Sequence, residues 1–91
     1  MKLESLTPQY VEFMPEDMRE GILYISERFQ TTIHKCACGC GEKVVLPLEP
    51  EWTYGWTMTI DKDLVTLRPS IGNRFACKSH YWITNNKIVW A

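Results

Sequence analysis

The sequence predicts a small all-β domain, an antiparallel sheet of hairpins with at most one short helix. Three observations support this prediction. The apolar runs are only four or five residues long, residues 56–60 alternate strictly between polar and apolar side chains, and turn-forming residues separate the runs. Ninety-one residues are enough for one domain, and 45% apolar with 23% charged residues is the balance of a folded globular chain.

The predicted elements follow the chain in order. We expect strands at residues 10–13, 22–26, 29–36, 43–46, 56–60, 64–67, 81–84 and 87–90. Pro15, the acidic residues after it and Gly21 as a stop indicate one helical turn at about residues 15–20. Residues 61–63 and the pair Asn85–Asn86 are typical of hairpin turns, whereas residues 68–73 read as a loop because of Pro69 and Gly72.

Charge and hydropathy exclude several classes of protein. The net charge is −1, so the whole chain is not an electrostatic nucleic-acid binder. No apolar run approaches the roughly 20 residues of a membrane span. The first eight residues lack the apolar segment of a signal peptide, so we expect a cytoplasmic protein.

The four cysteines point to a metal site in such a reducing compartment. Cys36, Cys38 and Cys40 alternate along the chain too closely to join distant parts of a fold by disulfides. Cys77 follows much later, with His80 three residues beyond it. A glycine-rich turn carrying two thiolates, closed by a Cys-x-x-His pair from a distant loop, is how zinc ribbons hold small sheets together.

The predicted ligands are therefore Cys40, Cys77, His80 and one of the pair Cys36 and Cys38, with Zn²⁺ as the favoured ion. Which member of that pair is the surplus thiol stays open. An iron–sulfur cluster is the alternative, because Rieske centres also combine cysteine with histidine.

Two further residues and the surplus thiol leave other roles open. His34 shares a strand face with Cys36 and Cys38, so it is either a ligand, a neighbour that orients one, or a half-buried histidine without such a role. Glu42 could act as a general base if the metal kept an open position, and the surplus thiolate could be a nucleophile. Because four good ligands are already available, a closed site is favoured over catalysis.

The aromatic residues suggest a core and one contact surface. We expect Trp56, Trp82 and Trp90 to fill the core, and Trp52 to be exposed in a loop with prolines and glutamates. Basic residues of the last third lie among Phe75, Tyr81 and Trp82, a pattern that could stack on single-stranded nucleic acid, although a solvated face is the more ordinary interpretation.

Three motifs in this order resemble a family of small, mostly bacterial proteins with predicted metal binding. They are His34-x-Cys36-x-Cys38-Gly39-Cys40-Gly41-Glu42, then residues 69–73 (PSIGN), then Cys77-x-Ser79-His80-Tyr81-Trp82-Ile83, and the resemblance covers about residues 22–91. Members of this family resemble companions of bacterial ubiquitin-like conjugation systems, encoded beside ubiquitin-like, E1-like and E2-like proteins. The resemblance implies an accessory or adaptor role in such a pathway.

The sequence thus predicts a single metal-stapled β domain over residues 1–91 that binds another protein. A ubiquitin-like, E1-like or E2-like protein is the expected partner. No nucleophile and base stand at a recognisable spacing, so we assign no catalytic residue. A metalloenzyme with an open zinc position and a nucleic-acid-binding zinc ribbon remain the alternatives.

Overall fold

The computed structural model describes residues 2–53, 55–72 and 77–91 and confirms an all-β protein. Eight strands form two four-stranded sheets. Their bounds are β1 (Thr7–Tyr10), β2 (Ile22–Ser26), β3 (Thr31–Lys35), β4 (Lys43–Pro47), β5 (Thr57–Asp61), β6 (Leu64–Gly72), β7 (His80–Thr84) and β8 (Lys87–Trp90). The described residues include no helix, and hence none with the length and hydropathy of a membrane span.

Each sheet follows the order of its strands along the chain, β1 to β4 in the first and β5 to β8 in the second. Isolated bridges join the two sheets at both ends. Ser5, just before β1, pairs with Lys87, the first residue of β8. Leu48, just after β4, pairs with Trp56, just before β5. The eight strands therefore enclose one core, and each of these edges is covered at one point by the other sheet.

The two hairpin turns of the second sheet lie where the sequence predicts them. Lys62 and Asp63 have φ of 51° and 66°, and Asn85 and Asn86 have φ of 50° and 68°. Two consecutive left-handed residues form the turn whose twist matches that of the flanking strands. Asp and Asn tolerate this conformation better than most side chains, which is why the sequence indicates these turns.

The core lies between the inward faces of the two sheets. Its largest fully buried side chains come from both of them: Leu23, Ile25, Leu46, Leu67, Ile71, Tyr81 and Ile83. Buried and more exposed residues alternate along β4 and β7, so one face of these strands lies in the core, whereas β2 is buried on both faces. Trp56, Trp82 and Trp90 are only half-buried, so the expectation that they fill the core is wrong in that respect. Trp56 and Trp90 pack against its margin.

Three local expectations are corrected by the structure. Residues 15–20 form bends rather than a helical turn. β1 pairs with β2 in parallel, so the first sheet is not wholly antiparallel. Residues 68–72 continue strand β6 instead of forming a loop, because Pro69 lies where the register with β7 shifts and proline is tolerated at such an irregularity. Asn73, the last residue of that predicted loop, lies outside the described residues.

Candidate functional site

Four cysteine sulfurs gather at one end of the molecule. The sulfurs of Cys36, Cys38, Cys40 and Cys77 all lie within 4.8 Å of one another. Cys36 Sγ is 3.5 Å from Cys38 Sγ and 3.9 Å from Cys77 Sγ, and Cys40 Sγ is 3.7 Å from Cys77 Sγ. The structure therefore brings all four cysteines together and leaves neither Cys36 nor Cys38 as a surplus thiol.

A tight turn after β3 presents three of these thiols. The backbone N–H of Cys36 donates to Glu42 O at 2.8 Å, which closes the loop that carries Cys38 and Cys40. Gly39 and Gly41 adopt φ of 90° and 86°, a conformation that residues with a side chain rarely occupy. The fourth thiol, on Cys77, comes from the segment before β7, so the cluster ties the two sheets together.

The spacing of the four sulfurs suits a tetrahedral metal ion, and the pKa values of two of the thiols are lowered, whereas burial raises the pKa of the Cys36 thiol. Four sulfurs about 2.3 Å from a central ion are about 3.8 Å apart in a regular tetrahedron. The three distances above lie around this value. Hydrogen bonding from Ser79 lowers the pKa of the Cys38 thiol to about 6 and also lowers the pKa of Cys77. Metal binding needs thiolates, so Ser79 favours the form of both residues that binds.

His80, predicted as a ligand from the Cys-x-x-His spacing, lies elsewhere. Its Nε2 is 2.7 Å from the hydroxyl oxygen of Ser70. The four-cysteine group does not include it. The two histidines that a Rieske-type centre needs are thus both outside the cluster, since His34 is engaged by Tyr81 instead.

The contact between Ser70 and His80 follows from strand geometry. Gly72 on β6 stands opposite His80 on β7, and Ile71 opposite Tyr81. Ile71 and Tyr81 are buried, so alternation directs Ser70 and His80 to the outer face of the sheet. Ser70 is two residues from Gly72, which makes it the diagonal neighbour of His80 across the strand pair.

The pairing of β6 with β7 changes register between Leu67 and Ile71, the segment that contains Ser70. Leu67 pairs with Ile83 and Ile71 with Tyr81, so four steps along β6 match two along β7. Arg68 spans the irregularity, because its guanidinium donates to the carbonyls of Leu67 and Ile83 at 2.9 and 3.2 Å. Irregular pairing of this kind often re-aims a side chain beside an active site.

Trp82 supports the imidazole of His80 from the same face of β7. The two rings stack with centroids 5.6 Å apart and an interplanar angle of 27°. Gly72 leaves the other approach open, because a Cβ built on it would meet nothing nearer than His80 Cδ2 at 3.9 Å. An exposed imidazole in hydrogen-bond contact with a serine hydroxyl is the arrangement that turns serine into a nucleophile.

A buried hydrogen bond links the thiol loop to β7. His34 is fully buried, and its Nε2 is 2.7 Å from the hydroxyl of Tyr81. The N–H of Ala37, between Cys36 and Cys38, donates to the same hydroxyl at 3.4 Å. Burial lowers the pKa of His34 to about 4, so this imidazole is neutral at pH 7. His34 therefore positions Tyr81 next to His80, and its ring nitrogens do not join the thiol group.

The remaining predicted residues lie apart from these two groups. Glu42 is exposed and is not a member of the four-cysteine group. Trp52 is 48% exposed, as expected, and its indole N–H donates to Phe29 O at 3.3 Å. Arg74 and Phe75, which the nucleic-acid interpretation needs, lie outside the described residues.

A cavity of about 290 Å³ separates the thiol cluster from His80. Cys38 and Cys77 line one side of it, and His80 and Trp90 also contribute. Lys2 lies over the Trp90 ring, 4.7 Å from its centroid, and lines the same cavity. The two groups are thus close neighbours, with the short segment from Cys77 to His80 joining them.

Comparison with protein families places the chain in a known family. The model of the family described as bacterial ubiquitination-like system serine protease (BubE) matches residues 10–91. The chain belongs to this family. Neither the curated proteins nor the solved structures compared with it include a significant match.

Membership in the BubE family confirms the resemblance to ubiquitin-like conjugation systems, and its description adds an activity that the sequence interpretation did not assign. The sequence interpretation assigned no catalytic residue, and in the structure Ser70 Oγ and His80 Nε2 lie 2.7 Å apart. Ser70 belongs to the PSIGN motif and His80 to the next motif, but the Cys-x-x-His spacing assigned that histidine to the metal.

Proposed function

We propose that this protein is a serine protease of a bacterial ubiquitination-like system, with Ser70 as nucleophile and His80 as general base. The observation that carries the proposal is the 2.7 Å contact between Ser70 Oγ and His80 Nε2 on the exposed face of β6 and β7. The family description supports it independently. This replaces the non-catalytic adaptor role as the function that the geometry supports best.

The reaction would proceed in two halves through a covalent ester. Ser70 Oγ attacks the carbonyl carbon of the scissile bond while His80 Nε2 takes the hydroxyl proton. The imidazolium then gives this proton to the leaving amine, and the bond between carbon and nitrogen breaks. A water molecule, deprotonated by the same imidazole, attacks the ester and releases the carboxylate product. Ser70 regains its proton from His80, so the enzyme returns to its first state.

We propose that a ubiquitin-like protein is the substrate, cut either in its own chain or at its bond to a target. The family description places the chain in a ubiquitination-like system, and a protease of such a system has this class of protein to act on. A cytoplasmic location is part of the proposal, since cysteines that bind a metal stay reduced in such a compartment.

We further propose that Cys36, Cys38, Cys40 and Cys77 hold Zn²⁺ and that the ion is structural. Four thiolates complete a tetrahedral set, so no position is left for a water molecule. When bound, the ion supplies no chemistry to the cleavage and only cross-links the β3–β4 turn to the start of β7. This cross-link would fix the position of His80, which lies three residues after Cys77.

A fluorophosphonate labelling experiment tests the nucleophile. The wild-type protein should be labelled on Ser70, and Ser70→Ala should abolish labelling. Ser5→Ala is the matched control, because Ser5 is exposed and bridges to Lys87, which pairs with Thr84 at the end of β7 opposite to His80. His80→Ala should retain the fold and lower the labelling rate by roughly 10³-fold or more. Equal labelling of wild type and Ser70→Ala would refute the assignment.

Partner binding without catalysis is the second candidate function, and exposed aromatic residues favour it. Phe13, Phe29 and Trp52 are 62%, 47% and 48% exposed. The rings of Phe13 and Phe29 lie 5.8 Å apart, with Arg28 above both. Aromatic residues and arginine are the side chains that interface hot spots favour. Ser70→Ala and Trp52→Ala separate the two roles, because the first should lose only cleavage and the second only binding.

A further inference from the structure

The strand that carries Ser70 extends beyond its neighbour β5. The register between β5 and β6 runs from Asp61 opposite Leu64 to Thr57 opposite Arg68. β6 continues to Gly72, and there it pairs with β7 through Ile71 and Gly72. Within the described residues, positions 69–72 therefore have a strand on one side only, and we call the other side the open edge.

The alternation of the ladder shows where the main-chain groups point. The two-residue turn of the β7–β8 hairpin makes Thr84 and Lys87 a hydrogen-bonded pair, and the bond from Ala91 N–H to His80 O follows the same alternation. Tyr81 must then bond in the other direction, to Ile71 on β6. The Ser70 C=O and the Gly72 N–H, which flank Ile71, consequently point away from β7, toward the open edge.

Among the described residues, the chain before β5 turns away from this edge. Trp56 N–H donates to Pro47 O at 2.7 Å, which draws the backbone toward the end of β4. Gly55 permits the close approach, since a Cβ there would lie 2.7 Å from the same carbonyl oxygen. The Trp56 indole N–H donates to Pro69 O at 3.1 Å and so marks the start of the open edge.

The open edge and the Ser–His pair belong to one place. Ser70 contributes its side chain to the outer face and its main chain to the edge of the same strand. Gly72 is exposed and has no side chain to obstruct a peptide that lies beside it. A strand added here would lie beside the residue that carries this hydroxyl.

We propose that the substrate binds as an extended strand along Pro69–Gly72, held by main-chain hydrogen bonds to Ser70 and Gly72. This inference rests on the proposed protease function and deepens it. The substrate class is a flexible peptide segment, such as a chain terminus or linker, because a segment already paired in a sheet has no main-chain groups to offer. Binding of this kind is a form of β-strand addition, in which the main chain provides affinity.

The experiment compares two boronic acids that form a reversible adduct with a serine nucleophile. One is acetyl-alanine boronic acid, and the other is an alanine hexapeptide boronic acid, whose side chains offer nothing but methyl groups. The hexapeptide should bind about tenfold more tightly or better, since each main-chain hydrogen bond is worth about 1 kcal/mol. In an extended peptide, alternate amides face the neighbouring strand. N-methylation of the amides that face β6 should remove this gain in affinity, whereas N-methylation of the amides that face away should not.

Amide hydrogen exchange in the hexapeptide adduct reports the edge directly. The amide of Gly72 should be protected on binding, whereas the Ile71 amide, already bonded to β7, should change little. Gly72→Pro removes the Gly72 N–H and should lose the gain of the hexapeptide over the small boronate. Val45→Ala, at an exposed position of β4 in the other sheet, is the control and should behave as wild type. If Gly72→Pro does not fold, the N-methyl series and the exchange data decide.

The outcomes separate this inference from the proposed function. Absence of a Ser70 adduct with either boronate overturns the protease assignment and this inference with it. Adducts of equal affinity, without protection of Gly72, overturn strand addition alone. Protection of Gly72 that rises with protein concentration in the absence of a boronate would assign the edge to a second copy of the chain, and it too overturns the inference.

Discussion

Replacing Tyr81 by phenylalanine tests the buried hydrogen bonds that join β7 to His34 and Ala37. The substitution removes only the hydroxyl, which is 2.7 Å from His34 Nε2 and 3.4 Å from Ala37 N. Both His34 and Tyr81 are fully buried, so water cannot replace the lost bonds. His34 Nδ1 already has no hydrogen-bond partner, which leaves the ring without compensation.

The magnitude follows from the two groups left unpaired. A buried donor or acceptor without a partner costs about 1–3 kcal/mol, and the longer contact to Ala37 contributes the smaller part. We therefore expect Tyr81→Phe to lower the free energy of unfolding by about 3 kcal/mol. For a domain of this size, about 1 kcal/mol shifts Tm by roughly 4–8 °C, so the expected loss is well over 10 °C.

Urea unfolding followed by tryptophan fluorescence, with metal in excess, measures the effect. Tyr24→Phe is the matched control. Its hydroxyl also accepts one backbone bond, from Arg19 N at 3.0 Å, but Arg19 is exposed and can bond to water instead. The control should cost below about 1 kcal/mol. If the two variants differed by less than about 0.5 kcal/mol, the buried link would not have the stabilising role inferred here.

Four other changes have expected outcomes. Complete chelation of the metal at neutral pH should unfold the protein or loosen it strongly, because structural zinc contributes roughly 10 kcal/mol of apparent binding energy in small domains; near-UV circular dichroism measures this, and an unchanged spectrum would contradict it. Serine at any one of the four cysteines should abolish stoichiometric metal in elemental analysis, and full retention in two of the variants would point to another ligand set. Gly55→Ala should lower the free energy of unfolding by about 1–3 kcal/mol in urea, since its Cβ would meet a carbonyl oxygen, while Gly72→Ala should be near neutral. Trp52→Ala should reduce recovery of a protein partner in pull-downs without changing fluorophosphonate labelling, and equal recovery would remove Trp52 from the interface.

Local patterns predicted seven of the eight strands, because each carries its own evidence. Alternation identifies β5, and paired turn residues identify the hairpins at 62–63 and 85–86. The first strand lies at Thr7–Tyr10 and not at residues 10–13, since its position depends on parallel pairing with β2. Residues 68–72 have the composition of a loop because of Pro69 and Gly72, but they form a strand through pairing with β7, which the segment itself does not encode.

The sequence by itself determined that this is an all-β protein with a cysteine cluster that could hold a metal ion, because hydrophobic period, turn chemistry and cysteine spacing are local properties. Tertiary structure alone decided which side chains His34 and His80 contact. His80 follows Cys77 at the spacing of a ligand, yet pairing of β6 with β7 directs it to Ser70. Cys36, Cys38 and Cys40 then complete the thiol group with Cys77. The contact partner of a side chain such as His80 therefore depends on the register between two strands, which the local sequence around either strand does not encode.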